Sequence, residues 1–297
     1  MDLKAMAIVE AFNHMGCDAI TVGEDDFLWG RENLLEILKK AEFPVVCANL
    51  VESESGKPLF QPYIVRDFEG LKVGIFGLFP EPNKAVKERL GGLTVLDPFA
   101  VAAQMVSTLE NMTDFIVLLS HLGYAKDLEL ARKVQGIRVI VGGHTGINLS
   151  YPRTVGETVV VQTTKNGYRL GKIDFKLNHL SRPFINVATK EMMTRRLSEV
   201  EARLEDLGTE DPAESAQARR SREMLELRKA ETKKLLASYE GKTELLNEMV
   251  SLTDHIAHDP ECGRILDPYL PRISEAKKKI TPTPQEPRPD SVGEDAE

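Results

Sequence analysis

The stretch DFIVLLSHLGYAKDLELARKVQGIRVIVGGHTG, residues 114–146, decides the fold. Asp114–Leu119 is a continuous apolar run, the pattern of a strand covered on both faces. It ends at Ser120-His121. Asp127–Val134 reads as a short helix, and Ile137–Val141 is a second buried strand that ends at Gly142-Gly143-His144. Strand, helix and strand in this order imply a layered α/β domain with a partly parallel sheet.

The same alternation extends outward on both sides. Upstream, Ala19–Val22 reads as a strand leading into Gly23-Glu24-Asp25-Asp26, Glu32–Ala41 as a helix, and Pro44–Ala48 as a buried strand. Tyr63–Phe68 and Leu71–Phe79 flank Glu69-Gly70, a two-residue turn, and predict a hairpin that makes the sheet mixed. Asp97-Pro98 opens a helix as N-cap and first helical residue, with apolar positions at 102, 105, 106 and 109. Downstream, Thr158–Gln162 and Lys172–Leu177 read as late strands. The domain spans residues 1–187.

Residues 188–245 change character. Met193, Leu197, Val200, Leu204 and Leu207 keep the alternating four and three spacing of a coiled-coil seam, Gly208 to Pro212 breaks the helix, and Met224, Leu227, Leu235 and Leu236 continue it. With 12 basic and 13 acidic residues, this segment reads as a helical hairpin with a mixed-charge surface. It is a structural arm or a docking element for a second copy or a partner. Residues 246–280 form a closing segment, with a final short helix within 249–279. The acidic, proline-containing tail 281–297 reads as disordered.

Composition removes several function classes. The net charge of −8 argues against a protein that binds nucleic acid through a basic face. No apolar run approaches the length of a membrane-spanning helix. Cys17, Cys47 and Cys262 lie far apart with no paired-cysteine motif, which excludes a zinc finger, and they read as small core residues. There is no nucleophile elbow and no phosphate-binding P-loop.

What remains is three polar loops at the carboxyl ends of strands, where α/β folds place their ligands. They carry Glu24, Asp25 and Asp26, then His121, then His144. A carboxylate with two imidazoles suits zinc, manganese, iron or a similar divalent ion, and the neighbouring glycines admit close backbone approach.

Several of these segments resemble calcineurin-like metallophosphoesterases, in particular the bacterial 5′-nucleotidase and 2′,3′-cyclic phosphodiesterase branch. They are Met15–Gly23, Phe43–Asn49, Gly70–Gly77, Ser120–Gly123 and Gly142–Thr145, in that order and spacing, with Leu252–Leu270 similar to the segment that closes the family's catalytic domain. The resemblance covers about residues 10–180 and 249–275. It implies a layered α/β/β/α fold with mixed sheets, two-metal hydrolysis of phosphoric esters, and a phosphorylated small molecule, such as a nucleotide, as substrate. His121 and His144 match metal-binding histidines. Glu24 stands where the family has a metal-binding Asn, Asp25 where it has the catalytic His, and Asp26 where it has Glu. Gly146 replaces a further histidine ligand. The family's first two metal motifs, Asp-x-His and Gly-Asp, lie upstream of the region matched by residue 1. The chain therefore reads as N-terminally truncated, with either one ion or two at its centre. An exported protein is expected if a leader precedes it, and a cytoplasmic one if Met1 is the start. Reverting Gly146→His and Asp25→His is expected to raise metal occupancy or rate. The alternative reading is a degenerate member of the fold that works as a binding or assembly module through residues 188–245.

Overall fold

The computed structural model describes residues 3–177, 184–208, 215–253 and 255–273. In chain order the first elements are α1 (Leu3–His14), α2 (Arg31–Leu38), β1 (Leu50–Glu52), β2 (Tyr63–Phe68), β3 (Leu71–Leu78), α3 (Lys84–Leu90) and β4 (Leu93–Val95). Next come α4 (Pro98–Leu109), β5 (Phe115–Ser120), α5 (Tyr124–Lys133), β6 (Val139–Gly142), β7 (Arg153–Val155), β8 (Thr158–Gln162) and β9 (Arg169–Lys176). The last are β10 (Ile185–Asn186), α6 (Val187–Asp206), α7 (Ala216–Ala237), β11 (Glu244–Ser251) and α8 (Pro260–Leu266). They form two compact units.

The smaller unit holds α1, most of α2, and α8. Asp259 caps α8 by accepting from the Cys262 amide at 2.7 Å, and the Tyr269 hydroxyl donates to Glu10 on α1. The Asn13 side chain ties α1 to the residues after α2, donating to the Lys40 carbonyl and accepting from the Glu42 amide, each at 2.8 Å.

The larger unit is built on a six-stranded sheet of order β2-β3-β5-β6-β8-β7. The four central strands are parallel, and the edge strands pair antiparallel. The predicted hairpin is present. Glu69 and Gly70 both take left-handed φ values, 53° and 94°, as a two-residue turn between twisted strands requires. The Asp97-Pro98 helix is also present as α4, with Ala102, Met105, Val106 and Leu109 buried. They pack with Phe76, Leu78, Leu118, Leu130 and Ile140 on one face of the sheet. The other face carries Val73, Phe115, Val139 and Val159 and meets Leu245 of a second sheet, of order β10-β11-β9. Phe115, Phe175 and Phe184 pack their rings 5.1 to 5.9 Å apart there. The expected mixed-sheet layering is thus seen, with strands buried on both faces where the sequence is continuously apolar.

Four expectations change. Ala19–Val22 and Pro44–Ala48 are not strands but single bridges, Ile20 to Val45 and Val46 to Gln61. Pro44 has no amide with which to extend a ladder, and the chain turns at Gly23 into a 3₁₀ turn, Glu24–Phe27. Glu244–Ser251, which spans the end of the expected hairpin segment and the start of the closing segment, is β11, paired with β9 over its eight residues, and the short helix expected within 249–279 is α8. In the hairpin, Met193, Leu197, Val200 and Leu204 do face inward on α6. On α7, however, Leu225 and Leu236 are half-buried, while Met224, Leu227 and Leu235 are exposed. Of the cysteines, only Cys47 is buried; all three are free. The tail 281–297 and the expected helix break at 209–212 lie outside the described residues.

Candidate metal centre

Glu24, His121 and His144 converge in the larger unit. Their ligand atoms all lie within 4.8 Å of one another. Glu24 Oε1 is 2.7 Å from His144 Nδ1, and Oε2 is 3.1 Å from His121 Nε2. The imidazole rings stand edge to face with centroids 5.3 Å apart. Each residue arrives from a different carboxyl end: His121 after β5, His144 after β6, and Glu24 from the 3₁₀ turn that follows the Ile20 bridge.

The local backbone is shaped for this meeting. Gly23 has ordinary extended angles (φ −119°, ψ 177°), but an added Cβ would stand 2.5 Å from His121 Nε2. At Gly143 a Cβ would stand 3.1 Å from His121 Nδ1. His144 itself takes φ 67°, a left-handed value uncommon for a non-glycine residue and characteristic of functional sites. Burial holds the His121 pKa below its ordinary value, against the opposing pull of the Glu24 carboxylate; the neighbouring His144 ring lowers it further. The neutral imidazole so favoured has a free nitrogen lone pair, as a metal ligand must.

The residues present fit one divalent ion. Glu24 Oε2 is buried and faces His121 Nε2 at 3.1 Å without a hydrogen bond, and a cation held between the two would satisfy both. Two imidazole nitrogens and a carboxylate oxygen are a common donor set for zinc, manganese or iron. Asp25 is exposed on the same turn and is not one of the converging ligands. Asp26 turns its Oδ2 back to accept from the Gly23 amide at 2.7 Å. Burial raises its pKa, partly offset by that amide and by His121.

Two supporting pairs escaped the sequence reading. Asp127, fully buried, accepts from the Ser120 hydroxyl at 2.5 Å. Burial pushes its pKa up to about 7 although the Ser120 bond lowers it. Gly142 leaves room for its other oxygen, since a Cβ there would stand 2.6 Å from Asp127 Oδ2. The Gln162 amide donates to the Gly143 carbonyl at 2.9 Å and to Thr145 Oγ1 at 2.8 Å, bracketing His144. A polar residue ending the all-valine run of β8 was the available signal.

Gly146 bears on the expected reversion to histidine. Its φ is 67°, and a Cβ would stand 2.3 Å from Lys165 Cγ. A histidine there meets backbone strain and, unless the Lys165 stem moves, an occupied space.

No family model matches the chain. Its curated homologues are 5′-nucleotidases and metallophosphoesterases, which are hydrolases. It is 30% identical over 209 residues to the trifunctional nucleotide phosphoesterase protein YfkN of Bacillus subtilis, covering 58% of this chain and 14% of that protein. It is 28% identical over 207 residues to the 5′-nucleotidase of Vibrio cholerae, covering 57% of this chain and 37% of that protein. The chain therefore spans well under half the length of these relatives. Among solved structures it is similar to a 5′-nucleotidase precursor from Thermus thermophilus, with a TM-score of 0.61 at 23% identity, covering 94% of this chain and 48% of the other. That likeness is one of fold.

Proposed function

We propose that this chain is part of a metal-dependent hydrolase of phosphoric esters of the 5′-nucleotidase type, using a centre of Glu24, His121 and His144. The observation that carries the reading is the convergence of these three side chains from three separate loops. A divalent ion held there supplies Lewis acidity and a water of lowered pKa. Glu24 provides the anionic oxygen, and His121, kept neutral by burial, provides a nitrogen. Ser120 with Asp127 and Thr145 with Gln162 hold the two histidine loops. Asp25, exposed beside Glu24, stands at the position of the family's catalytic histidine and is the catalytic candidate on that turn. Nucleotides are the substrate class named for the relatives, and we extend that class to this chain.

The test is direct. The full chain is titrated with Mn²⁺ and Zn²⁺, then assayed on bis(p-nitrophenyl) phosphate and 5′-AMP. The reading predicts one ion per chain and metal-dependent turnover that H121A, H144A and E24A abolish. A chain that binds metal but turns over neither ester sinks the hydrolase reading.

One observation favours a second role. Met224, Leu227 and Leu235 are exposed on α7 instead of packing against α6. An assembly module predicts a solution mass above that of one chain, reduced by M224E/L227E. A monomeric mass for both forms removes this reading.

A further inference from the structure

We propose that Lys165 is the cation that holds the phosphate group at this centre, which rests on the phosphoester reading above. Gly146, two residues beyond His144, has no side chain, and the methylene stem of Lys165 lies across it. The position of a Gly146 Cβ is 2.3 Å from Lys165 Cγ, 2.9 Å from Cδ and 2.8 Å from Cε. The ammonium is one bond further on. The loop that delivers His144 is therefore also the floor on which Lys165 rests.

Lys165 is exposed, and among the described residues its ammonium has neither an ion pair nor a hydrogen bond. The lysines of α5 are engaged: Lys133 pairs with Glu129 at 2.6 Å, and Lys126 reaches Glu81 at 4.0 Å. An unengaged ammonium whose stem rests on the loop that carries His144 is available for an anion.

The charge of the site calls for one. Glu24, Asp25 and Asp26 stand on a single turn. In formal charge the three carboxylates outweigh one divalent ion, and a phosphate monoester adds about two negative charges near neutral pH. Lys165 supplies the missing charge as a compact point cation, the manner in which lysine binds phosphate. The ligand class is a terminal phosphate monoester, whose doubly charged head gains most from a second cation.

The probe is inorganic phosphate, titrated calorimetrically into the metal-loaded full chain. K165M keeps the stem over Gly146 and removes only the charge; K165R restores a charge. The proposal predicts that K165M weakens phosphate binding about tenfold or more, as expected for loss of a charged hydrogen-bonding partner. K165R should recover most of the affinity, while metal affinity and melting temperature stay as in the wild type. In turnover assays KM for a phosphomonoester should rise with less change in kcat. Wild-type phosphate affinity in K165M overturns the assignment and leaves the hydrolase reading standing. Equal losses of metal and phosphate affinity overturn it in favour of a structural role for the stem. If the metal-loaded wild type binds no phosphate, the phosphoester reading falls first and the Lys165 assignment falls with it.

Discussion

Replacing Gly23 by alanine tests the geometry of the centre at its tightest point. The added methyl would stand 2.5 Å from His121 Nε2, 2.6 Å from Cε1 and 2.8 Å from Cδ2. Unstrained contacts between such atoms begin at about 3.5 Å, so the imidazole must retreat by about 1 Å. Metal–ligand distances tolerate only about 0.2 Å. The backbone is not the obstacle, because φ −119° and ψ 177° suit alanine. Alanine alone would stabilise the fold slightly by restricting the unfolded chain; overpacking of the ring opposes that by about 1 to 3 kcal/mol. The decisive quantity is metal affinity, which should weaken roughly ten- to hundredfold, the range seen when a ligand's supporting contacts are lost. The assay is calorimetric titration with Mn²⁺ or Zn²⁺, with thermal unfolding as the check on folding. Gly263→Ala is the control, since a Cβ there meets nothing within 4 Å. Wild-type metal affinity in Gly23→Ala would refute the claim that His121 is a ligand in the position described.

Asp127 makes a pH prediction. Its folded pKa of about 7 lies above the ordinary carboxyl value, so the folded state holds this proton more tightly than the unfolded state. Its contribution is fully present below about pH 4 and is lost as pH rises toward 7, at up to about 1.4 kcal/mol per pH unit. Urea unfolding of Asp127→Asn at pH 5, 6 and 7 should show a flatter pH dependence than the wild type, and parallel curves would contradict the assignment. Gly146→His should lower stability by about 1 to 3 kcal/mol, through its left-handed φ and the Lys165 stem. It should bring no gain in metal affinity, and tighter binding on titration would show that the loop yields more easily than described. Asn49 is fully buried, with its amide donating to the Phe79 and Leu96 carbonyls and its oxygen accepting from the Phe79 amide at 2.7 Å. Asn49→Ala should cost about 2 to 4 kcal/mol in denaturant unfolding, since two buried partners and one half-buried partner are left unmet; a cost under about 1 kcal/mol would show that water replaces them.

Where local chemistry settles local structure, the sequence could be read directly. Glu69-Gly70 marks a turn by its left-handed requirement, and Asp97-Pro98 marks a helix start by capping and a fixed φ. The two histidines at strand ends were legible because an apolar run that stops abruptly at a polar residue marks the rim of a sheet. What could not be read depends on contacts distant in sequence. β11 (ELLNEMVS) places apolar residues at 245, 246, 249 and 250, a spacing equally suited to a helix, and only pairing with β9 makes it a strand. Asp127 sits in an amphipathic helix with nothing local to show that it points inward. Lys165 over Gly146 joins residues 19 apart through a glycine that, by itself, reads only as a missing ligand. On α7 the regular spacing of apolar residues marks a helix but does not identify the face turned to α6.

The central claim is that Glu24, His121 and His144 together hold one divalent ion. The X-ray absorption spectrum of the zinc-loaded full chain tests it most directly. The account predicts nitrogen and oxygen neighbours only, at about 2.0 to 2.2 Å, with the outer-shell scattering of two imidazoles, and loss of that imidazole signal in H121A/H144A. A sulfur neighbour at about 2.3 Å, or an unchanged spectrum in the double variant, would contradict it.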